Sequence, residues 1–390
     1  MSPIPIVLLG YNRPESLSRA LEALRRATYP AGLSITLYIN LDNGGPNGTG
    51  EIADSFEWPF GPKRIIKRSS RLGMRENSLL SGDISLKSGA VIFIEDDTYV
   101  APTFYQYATQ AVAAYENDSS VFAVSLYSFR VCEFDQLRFE PLSDGYDNYF
   151  ISSATTWATV WMGSQWRAFR DWLEKQQSVP VESSDPLPSA VADWPQTSWK
   201  KYVNKYIAVE GLYFVYPRTS FATNFADAGA HFAGGSNIFR VPLAVKSLGL
   251  RLSSLRGSGA VYDPFFELEP HCLGDTLAGI PTDRLELDLR GFKTEQMKIR
   301  KEYVVTMRRA VEPVASFSAS FFPPEENLIF QLAGADINLV LARSIIAGST
   351  MQKAKRLRYY QGDLGGTREV ALLSDRLASY VRRVWARDAN

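Results

Sequence analysis

Residues 91–100 read VIFIEDDTYV: an apolar run driven straight into three consecutive carboxylates, Glu95, Asp96 and Asp97. Adjacent acids repel, so each raises its neighbours' cost of ionising unless a cation or hydrogen-bond donors compensate. Two readings follow from these residues alone, and they stand level. One is the solvated end of a buried strand that caps a helix starting near Pro102. The other is a site for a hard divalent cation, which prefers carboxylate oxygens, together with an anionic ligand. Asp42 precedes the turn pair Asn43-Gly44, so it reads equally as a turn former and as a ligand group. Arg71 and Arg75 are guanidinium groups suited to phosphate or to solvent. His231, one of two histidines, lies in the glycine-rich DAGAHFAGG.

The elements that must position these groups can be read from periodicity. Residues 4–9, IPIVLL, form a buried strand running into Gly10, and Asn12 and Pro14 open a helix with Leu17, Ala20, Leu21 and Leu24 on one face. SITLYINLD alternates Ile35, Leu37, Ile39 and Leu41 and ends at Asp42. Strands at 64–67, 90–94 and 121–126 alternate with helices at about 75–86 and 103–116. Such alternation predicts an α/β fold with a mixed, mostly parallel sheet flanked by helices, because parallel neighbours need crossover connections. Ligands of such sheets sit beyond the carboxyl ends of the strands. Gly10–Arg13, Asp42 and Glu95–Asp97 all fall at strand exits and are expected on one edge.

Residues 127–265 are rich in Trp and Tyr and less regular, with helices expected at 164–175 and 199–209 and a strand at LYFVYP. From 275 onward LELDLRG predicts an exposed strand, followed by charged helical segments at 294–310, 325–347 and 366–387. The expected organisation is therefore a domain over 1–265, with a regular half (1–126) and a less regular half (127–265), and a smaller α-rich accessory region over 275–390.

The chain of 390 residues carries 42 Lys plus Arg against 42 Asp plus Glu, so no global field favours nucleic acid or an anionic bilayer. Cys132 and Cys272 have no metal-type spacing and read as small apolar side chains in a reducing compartment. No run of about 18 apolar residues occurs. The expectation is a soluble protein, cytoplasmic or peripheral to the inner face of the membrane.

In order along the chain, PIVLLGYNRPESLSRALEAL, INLD, RLGMRENSLL, VIFIEDDTYVAPTFYQY, TTWATVWMGSQW, SWKKYVNKY and YPRTSFATNFADAGAHF resemble GT-A-fold glycosyltransferases. The likeness is to bacterial family-two-like enzymes and, more distantly, to the eukaryotic N-acetylglucosaminyltransferase of N-glycan branching, and it spans about residues 3–240. It implies a nucleotide-sugar donor, most simply a UDP-sugar, and a carbohydrate or glycolipid acceptor, with no nucleic acid. EDD would be the Asp-x-Asp-type element, with Asp97 holding Mn2+ or Mg2+ and Glu95 and Asp96 facing the sugar or ribose. The cation would take up charge on the departing diphosphate. Gly10, Tyr11, Asn12 and Arg13 would wrap the nucleotide, Asp42 would read the uracil or ribose, and Arg71, Gly73, Arg75 and Asn77 would line the base and phosphates. His231 would stand beside metal or diphosphate, and Trp157, Trp199 and Lys200 would lie on the acceptor side.

One expected group is missing. An inverting transfer needs a base for the acceptor hydroxyl, and in the resembling families that acid follows the Trp of an SWD-like helix start. Here the residues are Ser198-Trp199-Lys200-Lys201. Asp193 and Asp227 are the nearby substitutes. A relocated base, a stereochemical course needing none, and a chain that binds donor without turnover all stay open. A sugar nucleotidyltransferase is a further alternative, although GYNRPES lacks the lysine usual in its phosphate loop.

Overall fold

The computed structural model describes residues 2–44, 48–176, 181–182, 184–225, 227, 238–246, 249–298, 300–345 and 350–361. In chain order the first part comprises Ile6–Gly10 (β1), Pro14–Arg26 (α1), Leu37–Leu41 (β2), Thr49–Ser55 (α2), Lys63–Lys67 (β3), Gly73–Gly82 (α3), Ser85–Ser88 (α4), Ala90–Glu95 (β4), Thr98–Val100 (β5) and Phe104–Tyr115 (α5). Then come Val121–Ser125 (β6), Asn148–Ile151 (β7), Thr159–Met162 (β8), Gly163–Gln176 (α6), Ser189–Ala192 (α7), Trp199–Glu210 (α8), Tyr213–Pro217 (β9), Ala222–Asn224 (β10) and Val261–Tyr262 (β11).

A 9-stranded sheet runs in the order β11-β7-β9-β6-β8-β4-β1-β2-β3. β3, β2, β1 and β4 are mutually parallel, as the βα alternation predicts, whereas β8 is antiparallel to both β4 and β6. Successive residues of a strand face opposite sides, and the core divides accordingly. Val7, Leu9, Val91 and Phe93 join one cluster, while Ile6, Leu8, Ile92 and Ile94 join the other. Covered on both faces, these strands are apolar throughout. Pro14 at the first turn of α1 supplies a helical φ without costing a needed N–H. That helix buries Leu17, Ala20, Leu21 and Leu24, the face predicted from spacing.

Register fixes the functional edge. Gly10 lies opposite Leu41 and Leu9 opposite Glu95, so β1, β2 and β4 end together.

The C-terminal region departs from the sequence expectation. After the small hairpin Thr276–Leu277 (β12) and Ile280–Pro281 (β13) come Leu285–Asp288 (β14), Glu295–Lys298 (α9), Tyr303–Thr306 (β15), Ala315–Phe317 (β16), Glu325–Ile329 (α10), Ile337–Leu341 (β17) and Thr350–Gln361 (α11). These strands form a 4-stranded sheet, β14-β15-β17-β16, and its members β15 and β17 stand where helices over 294–310 and 325–347 are expected. Among the described residues, only one short α-helix forms in each span, at its start. Lys298, Arg300, Lys301 and Glu302 mimic a helical surface, but the β-branched Val304 and Val305 and the alternating Ile337, Leu339 and Leu341 suit a half-buried strand. LELD is likewise not exposed: Leu285, Leu287 and Asp288 are buried. The helix expected over 366–387 lies outside the described residues.

This sheet shares its apolar core with the larger one, since Leu285, Leu287, Val305 and Leu339 join the cluster containing Phe139, Tyr262 and Phe266. An ionic seam runs beside it. The Lys293 ammonium reaches Asp263 at 2.5 Å and Glu286. Arg290 donates through Nη1 to Asp135 at 3.1 Å and through Nη2 to the Arg138 carbonyl at 2.9 Å. The Arg290 backbone N–H donates to Glu267 at 2.6 Å.

Burial, reinforced by Asp288 and Asp263 and opposed by Lys293, pushes the Glu267 carboxyl up to about 8. Its folded value thus exceeds its unfolded one, so its contribution is fully present below about pH 4 and fades as pH rises through about 8. Thermal unfolding should show Tm falling from pH 5 to pH 8, and Glu267→Gln, which keeps an acceptor oxygen, should flatten that slope. An unchanged slope would remove Glu267 as its source.

Candidate functional site

The acid block is built into the sheet. Glu95 is the last residue of β4 and is 9% exposed, so this carboxyl is no solvated strand exit. Asp96 and Asp97 form the turn into β5, which pairs with β10 through Thr98 opposite Asn224. The Phe225 N–H donates to the Asp97 carbonyl at 2.9 Å.

The compensating charge comes from the β1–α1 turn. Arg13 donates through Nη1 to Asp97 Oδ2 at 2.9 Å and through Nη2 to Asp96 Oδ1. Burial opposes the guanidinium charge, but Asp97 and Asp96 outweigh it and hold Arg13 protonated. Burial lifts the Asp96 carboxyl to about 6, with Asp97 adding to the rise and Arg13 and the Tyr11 N–H opposing it. Glu95 is pushed well above the usual carboxylate range by burial first and Asp97 next, against Arg13 and Lys200.

One oxygen is left over. Asp97 Oδ1 is buried with no hydrogen-bond partner. Among the described residues no three His, Cys, Asp or Glu side chains converge as a metal centre. A divalent cation bridged to a diphosphate needs only one or two carboxylates, phosphate oxygens and water completing its shell. The hard, unpartnered oxygen of Asp97 fits such a ligand-borne cation.

Beside this block, Asp42 ties the end of β2 to the start of α3. Its Oδ1 accepts from the Leu72 and Asn43 N–H groups and its Oδ2 from Gly73 N–H, each at 2.9 Å. Gly73 takes φ +79°, with open space where a Cβ would sit. A cleft of about 510 Å3 lies here between the first turn of α3 and the loop before α8, lined by Leu72, Gly73, Met74, Arg75, Glu76, Gln196 and Thr197. The Arg75 guanidinium covers the Tyr202 ring at 4.3 Å, and that of Arg71 covers the Tyr11 ring at 5.0 Å. Asn12 is exposed beside them. Asn77, expected to face the nucleotide, is instead buried in α3, where its Oδ1 accepts from Arg68 Nε at 3.2 Å.

Of the residues expected on the acceptor side, Trp199 belongs to the core. It is 3% exposed, with its ring 5.8 Å from that of Phe93 and 5.5 Å from that of Trp161, and it seats α8 in the core. Trp157 is half-buried against Tyr127 at 4.7 Å and Phe239 at 4.9 Å. Lys200 is buried and paired with Glu133. Lys201 donates to the Ala192 and Trp194 carbonyls at 2.5 and 2.7 Å, pinning the loop before α8.

The two substitute acids differ. Asp193 is exposed at the end of α7. Asp227 Oδ2 accepts from Ser16 Oγ at 2.6 Å and is paired with Arg19, which holds it against α1. His231 lies outside the described residues. The structure thus gathers Arg13, Asp96 and Asp97, with Lys200 close enough to bias Glu95, and seats Asp42 beneath the cleft. Sequence reasoning missed Glu133: nothing in VCEFDQ marks it, and its partner is 67 positions away.

No family model matches the sequence, and no curated protein is significantly similar to it. Among solved structures, the chain is similar to the mannosyltransferase PcManGT from Pyrobaculum calidifontis in complex with GDP-Man and Mn2+, at 14% identity and a TM-score of 0.36 over 56% of this chain and 55% of that one. It is also similar to S. aureus TarS 1-349 in complex with UDP-GlcNAc, at 13% identity and a TM-score of 0.37 over 60% of this chain and 61% of that one. The chain therefore spans little more than half the length of these structures, and at such TM-scores neither likeness bears on activity.

Proposed function

We propose that the protein is a glycosyltransferase that moves a sugar from a nucleoside diphosphate, with UDP as the simplest nucleotide, to a hydroxyl acceptor by single displacement. The observation that carries this reading is the joint exit of β1, β2 and β4, which puts Arg13, Asp42 and the Glu95–Asp97 block on one edge next to an open cleft. The cleft is roomy enough for a nucleoside, and its rim offers the Arg75 guanidinium and the first turn of α3.

Asp97 Oδ1 would hold Mn2+ or Mg2+ together with the diphosphate. When bound, the cation supplies Lewis-acid neutralisation of the leaving group. Arg13 orients Asp97 and keeps Asp96 partly ionised, Asp42 sets the start of α3, and the buried Glu95 offers a hydrogen-bonding carboxyl to sugar or ribose hydroxyls. Residues 275–390 would support the acceptor side. The described residues contain no helix long and apolar enough to cross a membrane, and a glycolipid acceptor would be met by peripheral contact.

Incubation with a panel of UDP-sugars and Mn2+, with and without chelator, tests the proposal. Metal-dependent UDP release is the expected outcome. A nucleotide-sugar binder without turnover is the second reading, favoured by the ion pair that occupies Asp227, and tight binding with no release would establish it.

A further inference from the structure

We infer that Glu133, on the loop after β6, is the base that takes the acceptor hydroxyl's proton. The inference rests on the transfer reaction proposed above and supplies the group missing after Trp199.

The local geometry points to a poised carboxylate. Glu133 sits in a tight reversal of chain, closed by Cys132 N–H to the Leu137 carbonyl at 2.8 Å and Phe139 N–H to the Arg130 carbonyl at 2.9 Å. Its Oε1 accepts from the Lys200 ammonium, and the two side chains are only 16% and 9% exposed. Its Oε2 is buried without any partner. An orphaned buried acceptor costs about 1–3 kcal/mol, and a catalytic role is one reason a fold retains one. An acceptor hydroxyl would supply the donor it lacks.

Position agrees with role. Lys200 is the second residue of α8; the loop just before that helix lines the cleft through Gln196 and Thr197, and the adjacent Trp199 packs its ring 5.8 Å from that of Phe93 on β4, the strand that ends at Glu95. The Glu133–Lys200 pair therefore stands where α8 packs on β4, next to the cleft. Trp194 lies under the ammonium at 5.1 Å from the ring centre and fixes its direction. Asp96 and Asp97 are engaged by Arg13, and Asp227 by Arg19 and Ser16, while Asp193 stands exposed at the end of α7.

In the step itself the acceptor O–H proton passes to Glu133 Oε2 while the oxygen bonds to the anomeric carbon. The bond from that carbon to the phosphate oxygen breaks, and its electron pair leaves with the diphosphate. Lys200 is a positioning residue, holding Oε1 through its ammonium.

The test uses the full chain, Mn2+ and a UDP-sugar panel, with water as hydroxyl acceptor and azide as a nucleophile that has no proton to lose. Glu133→Gln should lower UDP release to water at least about 100-fold, keep UDP affinity within about twofold by calorimetry, and form glycosyl azide at the unsubstituted rate. Lys200→Met should slow the water reaction and spare the azide reaction, and Glu133→Asp should recover part of the water reaction. Unchanged water turnover in Glu133→Gln, azide turnover lost along with it, or loss of UDP binding would each overturn the assignment. If the unsubstituted chain binds UDP but releases none to water or azide, it is a binder and has no base. If it binds no UDP, the nucleotide-sugar reading itself is what fails.

Discussion

Arg13→Met should destabilise the folded chain by about 3 kcal/mol in chelator, read as a lowered urea midpoint at unchanged slope. The guanidinium is the partner of two carboxylates whose side chains are 5% and 15% exposed, and removing one member of a buried ion pair costs about 3–5 kcal/mol because its partner stays behind uncompensated. Arg13 is itself 22% exposed, which places the expectation at the lower end. A structural arginine and a resident counter-charge predict different things on adding metal. If Arg13 occupies a place fit for a cation, millimolar Mn2+ should restore part of the lost stability, since a ligand that binds only the folded form shifts unfolding by mass action. Mn2+ without effect on the variant would argue that the carboxylates, once freed, are not arranged for a cation at all.

Asp97→Asn should have the largest effect on ligand binding. The substitution keeps the shape of the turn, leaves Arg13 paired with Asp96 and retains the Phe225 N–H to Asp97 carbonyl bond, so the fold should survive. What it removes is the anionic oxygen proposed to meet the cation. Losses of about 10–100-fold in metal affinity attend changes merely next to a metal ligand, so the change in the ligand itself should cost UDP affinity in Mn2+ roughly 100-fold or more. In chelator the two proteins should bind UDP alike. Equal affinity in Mn2+ would remove the proposed cation from Asp97.

What could be read in advance followed the range of the forces involved. The strands β1, β2 and β4, the helix α1 and the buried face of α5 are written in local periodicity, and the parallel arrangement follows from alternation. The shared edge of Gly10, Asp42 and Glu95 follows in turn from the place of each at a strand end. Long-range choices left no such trace. Val304 and Val305 read as the tail of a charged helix until the pairing of β15 with β17 and β14 is known. The resemblance sets Arg13 against the nucleotide, but its bonds to residues 83 and 84 positions away are made by the fold. Trp199 shows the same limit: the resemblance sets it on the acceptor side, and its packing on Phe93 and Trp161 is made by the fold.

The seam between the two sheets also carries a mechanical consequence. Arg290 grips the chain at Asp135 and at the Arg138 carbonyl, both within a few residues of Glu133, while its backbone belongs to the segment leaving β14. The smaller sheet is thus bolted to the very reversal that presents the carboxyl. A loosened bolt, as in Arg290→Leu, would be felt as imprecise aim at the reaction centre, far from any residue that touches the donor.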